Sequence, residues 1–371
     1  MAFVFWISAA ALAYTFLGYQ ILIRVLSRLR PRATAGATTP ELDATVLIVA
    51  HNEQSRIRAR IENLRLSAVP ARVVVCSDGS TDATAAEARA AGARVFEYAP
   101  RRGKAACLSD AIPALESSIV ILADCRQQFT RDTIARLGRH FADPAIGAAS
   151  GILRIGDPGT SAGDGVSAYW KMETAVRQSE SNFDSCIGCT GAVYAIRRTL
   201  FRPIPADTIL DDVVIPMWIA LSGHRVVYDG EAEAFDPQPL DPRAETRRKA
   251  RTLAGNFQML VRHPAWLLPW KNRLAFQLIS HKYLRLAGPF LLASILTASA
   301  CLAEDSAFYE TALGLQVLLY LLAAAGLALP SLRMRLFSIP AGFLFLNLMT
   351  LRGLFRFLFG PRGGAWERSA L

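Results

Sequence analysis

Two scales of hydrophobic patterning alternate along the chain. Ala2 to Ile23, Leu286 to Ala303 and Thr311 to Leu332 are apolar and uncharged, each close to the roughly 20 residues a helix needs to cross a bilayer. They read as spans. Between the first two the apolar runs shorten to five to seven residues. Ala44 to Ala50, Arg72 to Ser77, Arg94 to Tyr98 and Ser118 to Asp124 are rich in Val and Ile and read as buried strands. Glu53 to Leu66, Ala83 to Ala91 and Lys104 to Leu115 lie between them with helical spacing. Such alternation predicts an α/β fold with a mostly parallel sheet covered on both faces. A fourth apolar run, Leu336 to Leu351, is shorter, contains Pro340 and Gly342, and precedes Arg352 and Arg356. It is expected to lie in the interface or re-enter.

Charge orients these pieces. The first apolar segment has no basic residues ahead of it and is followed by Arg24, Arg28, Arg30 and Arg32, which favours a retained anchor over a cleaved leader. The positive-inside tendency places the following domain in the cytoplasm, in agreement with Arg333 and Arg335 after the third span. The loop bearing Glu304, Asp305 and Glu310 then faces away. The small, polar stretch before Ala44 suits a linker. The expected divisions are an anchor over 1–26, a linker over 27–43, a catalytic domain over 44–255, and interfacial helices with membrane segments over 256–371. This is the layout of a multi-pass protein of the cell's inner membrane.

Composition narrows the partners. The 371 residues carry a net charge of +10, but the basic residues sit beside apolar segments or in helix-forming sequence, without a nucleic-acid-binding motif. Membrane lipid and an anionic substrate are the simpler partners, and nucleic acid is not expected. Five of the six cysteines fall in the region placed in the reducing cytoplasm. Cys186 and Cys189 form a lone C-x-x-C with no second pair to complete a zinc site, so packing is the expected role.

Candidate chemistry gathers just after the strands, where open α/β sheets bind ligands. The first strand ends in His51-Asn52-Glu53, the second in Ser77-Asp78-Gly79-Ser80-Thr81-Asp82, and the fourth in Asp124-Cys125-Arg126-Gln127-Gln128. A G-x-G-x-x-G fingerprint is absent here, which argues against NAD or FAD. Further on come Gly188-Cys189-Thr190-Gly191, then Leu210-Asp211-Asp212 before Gly223-His224-Arg225-Val226, and the basic run Arg247 to Asn256. Taken singly, these read as turns, helix caps and an interfacial helix.

In this order, from about Val46 to about Asn256, the motifs resemble the family 2 glycosyltransferases. The resemblance implies a GT-A fold and an inverting transfer from a nucleotide sugar, with UDP favoured by family habit. It also implies that Glu53 and Asp78 hold the base and ribose, and that Lys104 borders the same pocket. Asp124 corresponds to the first aspartate of the family's D-x-D and would bind Mg²⁺ or Mn²⁺ bridging the diphosphate. Arg126 stands at the last position of that motif and offers no oxygen ligand. Thr190 and Gly191 fall on the acceptor side, Asp212 matches the catalytic base, and Asp211 is its supporting neighbour. Where many processive members carry Q-x-x-R-W, this chain has Arg248, Arg251 and Thr252. The arginines remain candidates for the diphosphate, while processivity is left open. A glycan or polyprenyl-linked acceptor is implied, with a homo-oligomer or separate assembly partners for export. The competing readings are a catalytically silent membrane scaffold and a processive polysaccharide synthase.

Overall fold

The period-two alternation of the first strand decides which layer each side chain joins. In β1 (Ala44–Ala50), Val46 and Ile48 enter one buried cluster and Leu47 the other. The computed structural model describes residues 1–32, 42–155, 161–237, 242–329 and 334–360; most of the expected linker and Arg333 lie outside them. A helix with a π-turn at Tyr14–Gly18, α1 (Ala2–Leu29), precedes β1. There follow α2 (Ile57–Arg65), β2 (Arg72–Asp78), α3 (Thr84–Ala90), β3 (Arg94–Tyr98), α4 (Lys104–Ala111) and β4 (Ile119–Ala123). These reproduce the expected strand and helix alternation to within a few residues.

The second half of the domain contains β5 (Gln128–Phe129), α5 (Thr133–Arg139), β6 (Ile146–Ile155), α6 (Ser161–Phe183), β7 (Val193–Arg197), α7 (Asp211–Leu221) and β8 (Arg225–Asp236). The eight strands form one sheet in the order β3-β2-β1-β4-β7-β6-β8-β5. β1 pairs in parallel with both β2 and β4, whereas β7 runs antiparallel to β4. That reversal matters for the site. Val193 pairs with Ala123, so the chain entering β7 starts at the edge where β4 ends.

After the sheet come α8 (Pro242–Arg262), α9 (Ala275–Leu302, with a π-turn at Ile279–Tyr283), α10 (Ala307–Ala328) and α11 (Arg335–Phe359). By length and composition α1, α9, α10 and α11 could each cross a membrane. The apolar run Leu336 to Leu351, expected from the sequence to be a short segment, lies in a helix that continues through Pro340 to Phe359. Near the helix start that proline forfeits only the bond to the Leu336 carbonyl. α1 packs along α9 and, with its second half, against α6; α11 packs along α8 and α10. Many side chains on these four helices are apolar and exposed, among them Phe3, Trp6, Leu318, Leu321 and Phe355. A lipid environment removes the cost of that exposure.

Candidate active site

The loops after β1 and β2 are knitted to each other before any ligand is considered. Asn52 adopts a left-handed backbone (φ 56°), and its side-chain oxygen accepts a hydrogen bond from the Thr81 N–H at 2.8 Å. Asn52 N–H donates to Ser80 Oγ, and Glu53 N–H donates to Thr84 Oγ1 at 2.7 Å. The Glu53 carboxylate itself meets Arg56 at 3.1 Å. Gly79 (φ 61°) has no room for a side chain, since a Cβ there would stand 2.6 Å from the Arg101 nitrogen.

Asp78 is buried at the end of β2 and accepts from the backbone N–H groups of Arg102 at 2.6 Å and Gly103 at 2.9 Å. Its carboxylate therefore fixes the loop that launches α4. The first residue of α4 is Lys104, whose ammonium lies 2.9 Å from Asp124 Oδ1 and 3.7 Å from Asp211 Oδ2. Burial alone would lower the Lys104 pKa, but the carboxylates of Asp124, Asp211 and Asp212 more than offset this and hold it above its ordinary value. Lys104 stays charged.

Opposite it stands the start of α7. Asp211 is buried, and its Oδ2 has no hydrogen-bond partner among the described residues. Burial and the neighbouring Asp211 carboxylate raise Asp212 to about 6, against the pull of Lys104, Arg177 and Lys282. Backbone chemistry places it. Pro216 has no N–H to give the Asp212 carbonyl, and that carbonyl accepts instead from Cys189 N–H at 2.7 Å. The turn before β7 is thereby pinned to α7. A Cβ on Gly191 would stand 3.0 Å from Asp212 Oδ2, so glycine lets the turn lie against the carboxylate. Thr190 is held by Ser150 at 2.8 Å, by the Gly151 carbonyl at 2.7 Å and by Arg177 at 3.1 Å.

Lys104, Asp124, Asp211, Asp212 and the 188–191 turn thus converge. Arg126 lies beside them in sequence but turns to Asp236 at the end of β8, at 2.6 Å, where Gln127 also donates at 3.0 Å. Arg248 on α8 is paired with Glu245 of its own helix at 2.6 Å, and Arg251 follows, partly buried, one turn on. Sequence reasoning missed Asp236, Arg177 and the Pro216 device. A proline four residues after an aspartate in a helical pattern is the one local signal that could have indicated the last of these.

A divalent cation has a limited set of ligands here. Asp124 offers carboxylate oxygens, Arg126 offers none, and the described residues contain no group of three metal-ligating side chains. These residues suit an ion that arrives on a diphosphate, whose oxygens complete its shell, better than a resident one. Cys186 and Cys189 are buried in the core, and burial pushes the Cys186 thiol up to about 12 and Cys189 well above the usual thiol range. Burial thus disfavours the thiolate at both positions.

Residues 45–204 match the sequence model of the family described as Glycosyl transferase family 2. They form a family 2 glycosyltransferase domain. No curated protein matches the chain in sequence. Among solved structures, the chain is similar to the mannosyltransferase PcManGT from Pyrobaculum calidifontis in complex with GDP-Man and Mn²⁺. Identity is 24%, coverage is 94% of this chain and 99% of that one, and the TM-score is 0.69. The likeness shows a shared GT-A fold extending beyond the sheet domain. Mannosyl-3-phosphoglycerate synthase from Rubrobacter xylanophilus is 17% identical over 65% of this chain and 84% of that one, with a TM-score of 0.44. Glucosyl-3-phosphoglycerate synthase from Mycobacterium tuberculosis, in complex with Mn²⁺, UDP and glucosyl-3-phosphoglycerate, is 19% identical over 65% and 82%, with a TM-score of 0.40.

Proposed function

We propose that the protein is an inverting glycosyltransferase that moves a sugar from a nucleotide-sugar donor, most simply a UDP-sugar, onto a lipid-linked or growing glycan acceptor at the cytoplasmic face of a membrane. The observation that carries this is Asp212, a carboxylate raised to about 6, lying against the small-residue turn 188–191 and beside the Lys104–Asp124 pair. Asp212 takes the proton of the acceptor hydroxyl as its oxygen attacks the anomeric carbon. The bond to the diphosphate breaks on the opposite face. Lys104 meets the charge that develops there, with Arg126, Arg248 and Arg251 as the further cations the reading assigns to the donor. Glu53 and Asp78 border the nucleoside. A Mg²⁺ or Mn²⁺ ion carried by the donor would be held by Asp124 and would supply further charge neutralisation.

Arg126 favours a second form of the chemistry, in which guanidinium and ammonium groups replace the cation. Arg126 stands in sequence where the family carries a carboxylate, although here it is paired with buried Asp236. Both forms are separated by one experiment on the detergent-purified protein: transfer and donor hydrolysis across a panel of nucleotide sugars, with and without Mn²⁺ or Mg²⁺, beside Asp212→Asn. Cation-dependent turnover that vanishes in the variant supports the first form. Turnover that persists in chelator supports the second, and absence of turnover with acceptors supplied points to a silent scaffold.

A further inference from the structure

The two membrane-type helices α1 and α9 each carry a π-turn, Tyr14–Gly18 and Ile279–Tyr283, and the two meet beside the catalytic domain. Such turns sacrifice regular helix bonding and recur at functional sites. Tyr14 OH lies 2.8 Å from Ser280 Oγ. The next residue, His281, is fully buried, with Nδ1 2.9 Å from Glu180 Oε1 and Nε2 3.0 Å from Glu173 Oε1. Glu180 also accepts from Tyr19 OH at 2.5 Å and from the Ile187 N–H at 3.2 Å. Glu173 accepts from Arg285 at 2.9 Å and lies 3.4 Å from Arg177 Nε and 3.8 Å from Lys282 Nζ. Burial would raise Glu173, but His281, Lys282 and Arg285 hold it well below the usual carboxylate range.

Both glutamates sit on α6, and burying two carboxylates requires cationic donors aimed at them. His281 joins them, with one ring nitrogen facing each carboxylate. The chain of contacts then leaves the membrane side: Glu173 to Arg177, Arg177 NH1 to Thr190 Oγ1 at 3.1 Å, and the turn from there to the Asp212 carbonyl and carboxylate.

We propose that His281 is a positioning residue that transmits the docking of α1 and α9 to the acceptor-side turn, through Glu173 and Arg177, and so sets how Thr190 and Gly191 lie against Asp212. The inference rests on the reading of Asp212 as the base. It gives the membrane helices a task in the reaction beyond anchoring.

The test uses the full-length protein in detergent or lipid discs, with His281→Gln, Tyr19→Phe and Arg177→Lys. Hydrogen exchange at the amides of Cys189, Thr190 and Val193 is expected to rise about tenfold in His281→Gln and Arg177→Lys, with strands β1 to β4 unchanged. Transfer kcat is expected to fall about tenfold or more while donor KM holds, as misplacement of an acceptor does. Exchange that rises evenly over the whole domain, or not at all in the turn, overturns the proposal. If His281→Gln fails to fold, Tyr19→Phe and Arg177→Lys decide the matter, and an unaltered turn in both overturns it. If the native protein turns over no donor, the reading of Asp212 falls while the exchange data still decide the coupling.

Discussion

At the residue scale, the proposed chemistry rests on how one carboxylate is kept basic enough to take a proton. Asp212 is raised to about 6 by burial and by Asp211, and Lys104, Arg177 and Lys282 keep it from rising further. A general base works only when deprotonated, so kcat/KM is expected to climb through pH 6 and flatten above it, a limb readable in a pH-rate profile. Asp212→Asn should lower kcat by about 10²- to 10⁴-fold, the range of general-base loss, with donor affinity retained in a binding titration. Lys104→Met removes the ammonium between Asp124 and Asp211. Donor affinity is expected to fall and the acid limb to move to higher pH, since Asp212 loses a cation that now lowers its pKa. Asp211 and Asp212 were legible from the sequence as the opening of a helix, a local pattern, while their part in the chemistry rests on the resemblance. Arg177 was not, because its bond to Thr190 joins a helix to a turn that only the fold brings together.

At the scale of elements, the loops at the sheet edge are built by backbone requirements that tolerate little change. Gly79 combines a left-handed φ with a backbone nitrogen 2.6 Å from where a Cβ would go. Gly79→Ala is therefore expected to destabilise the protein by about 2 kcal/mol or more, from backbone strain and the clash together, measured as a lowered midpoint in thermal or denaturant unfolding. The β1 and β3 ranges follow from alternation and match the structure, because short Val- and Ile-rich runs have few other uses. The shift to antiparallel pairing at β7 was not readable. Direction depends on the path of the chain through α6, and no local pattern specifies that path.

At the scale of the molecule, a hydrophilic site is held against a set of apolar helices, and topology becomes testable through one thiol. Cys301 is exposed at the end of α9, whereas Cys76, Cys107, Cys125, Cys186 and Cys189 are buried. If the α9–α10 hairpin faces away from the cytoplasm, a membrane-impermeant maleimide should label intact cells at Cys301, and Cys301→Ser should abolish the labelling. Labelling only after permeabilisation would reverse the proposed orientation. The contact of α11 with α8, where Phe357 stacks on Phe257, shows that the C-terminal helices also brace the helix carrying Arg248 and Arg251.

Sequence alone determined the alternating architecture, the apolar helices at both ends and the ordered series of polar loops, since each is encoded by neighbours within a few residues. Tertiary structure decided what those loops do to one another. It set Asp78 on the loop that launches Lys104, turned Arg126 toward Asp236, released the Asp212 carbonyl to Cys189 through Pro216, and buried His281 between two glutamates. The physical reason is that a charge or carbonyl acquires its role from the partners and the desolvation it meets, and these come from residues far apart in the chain.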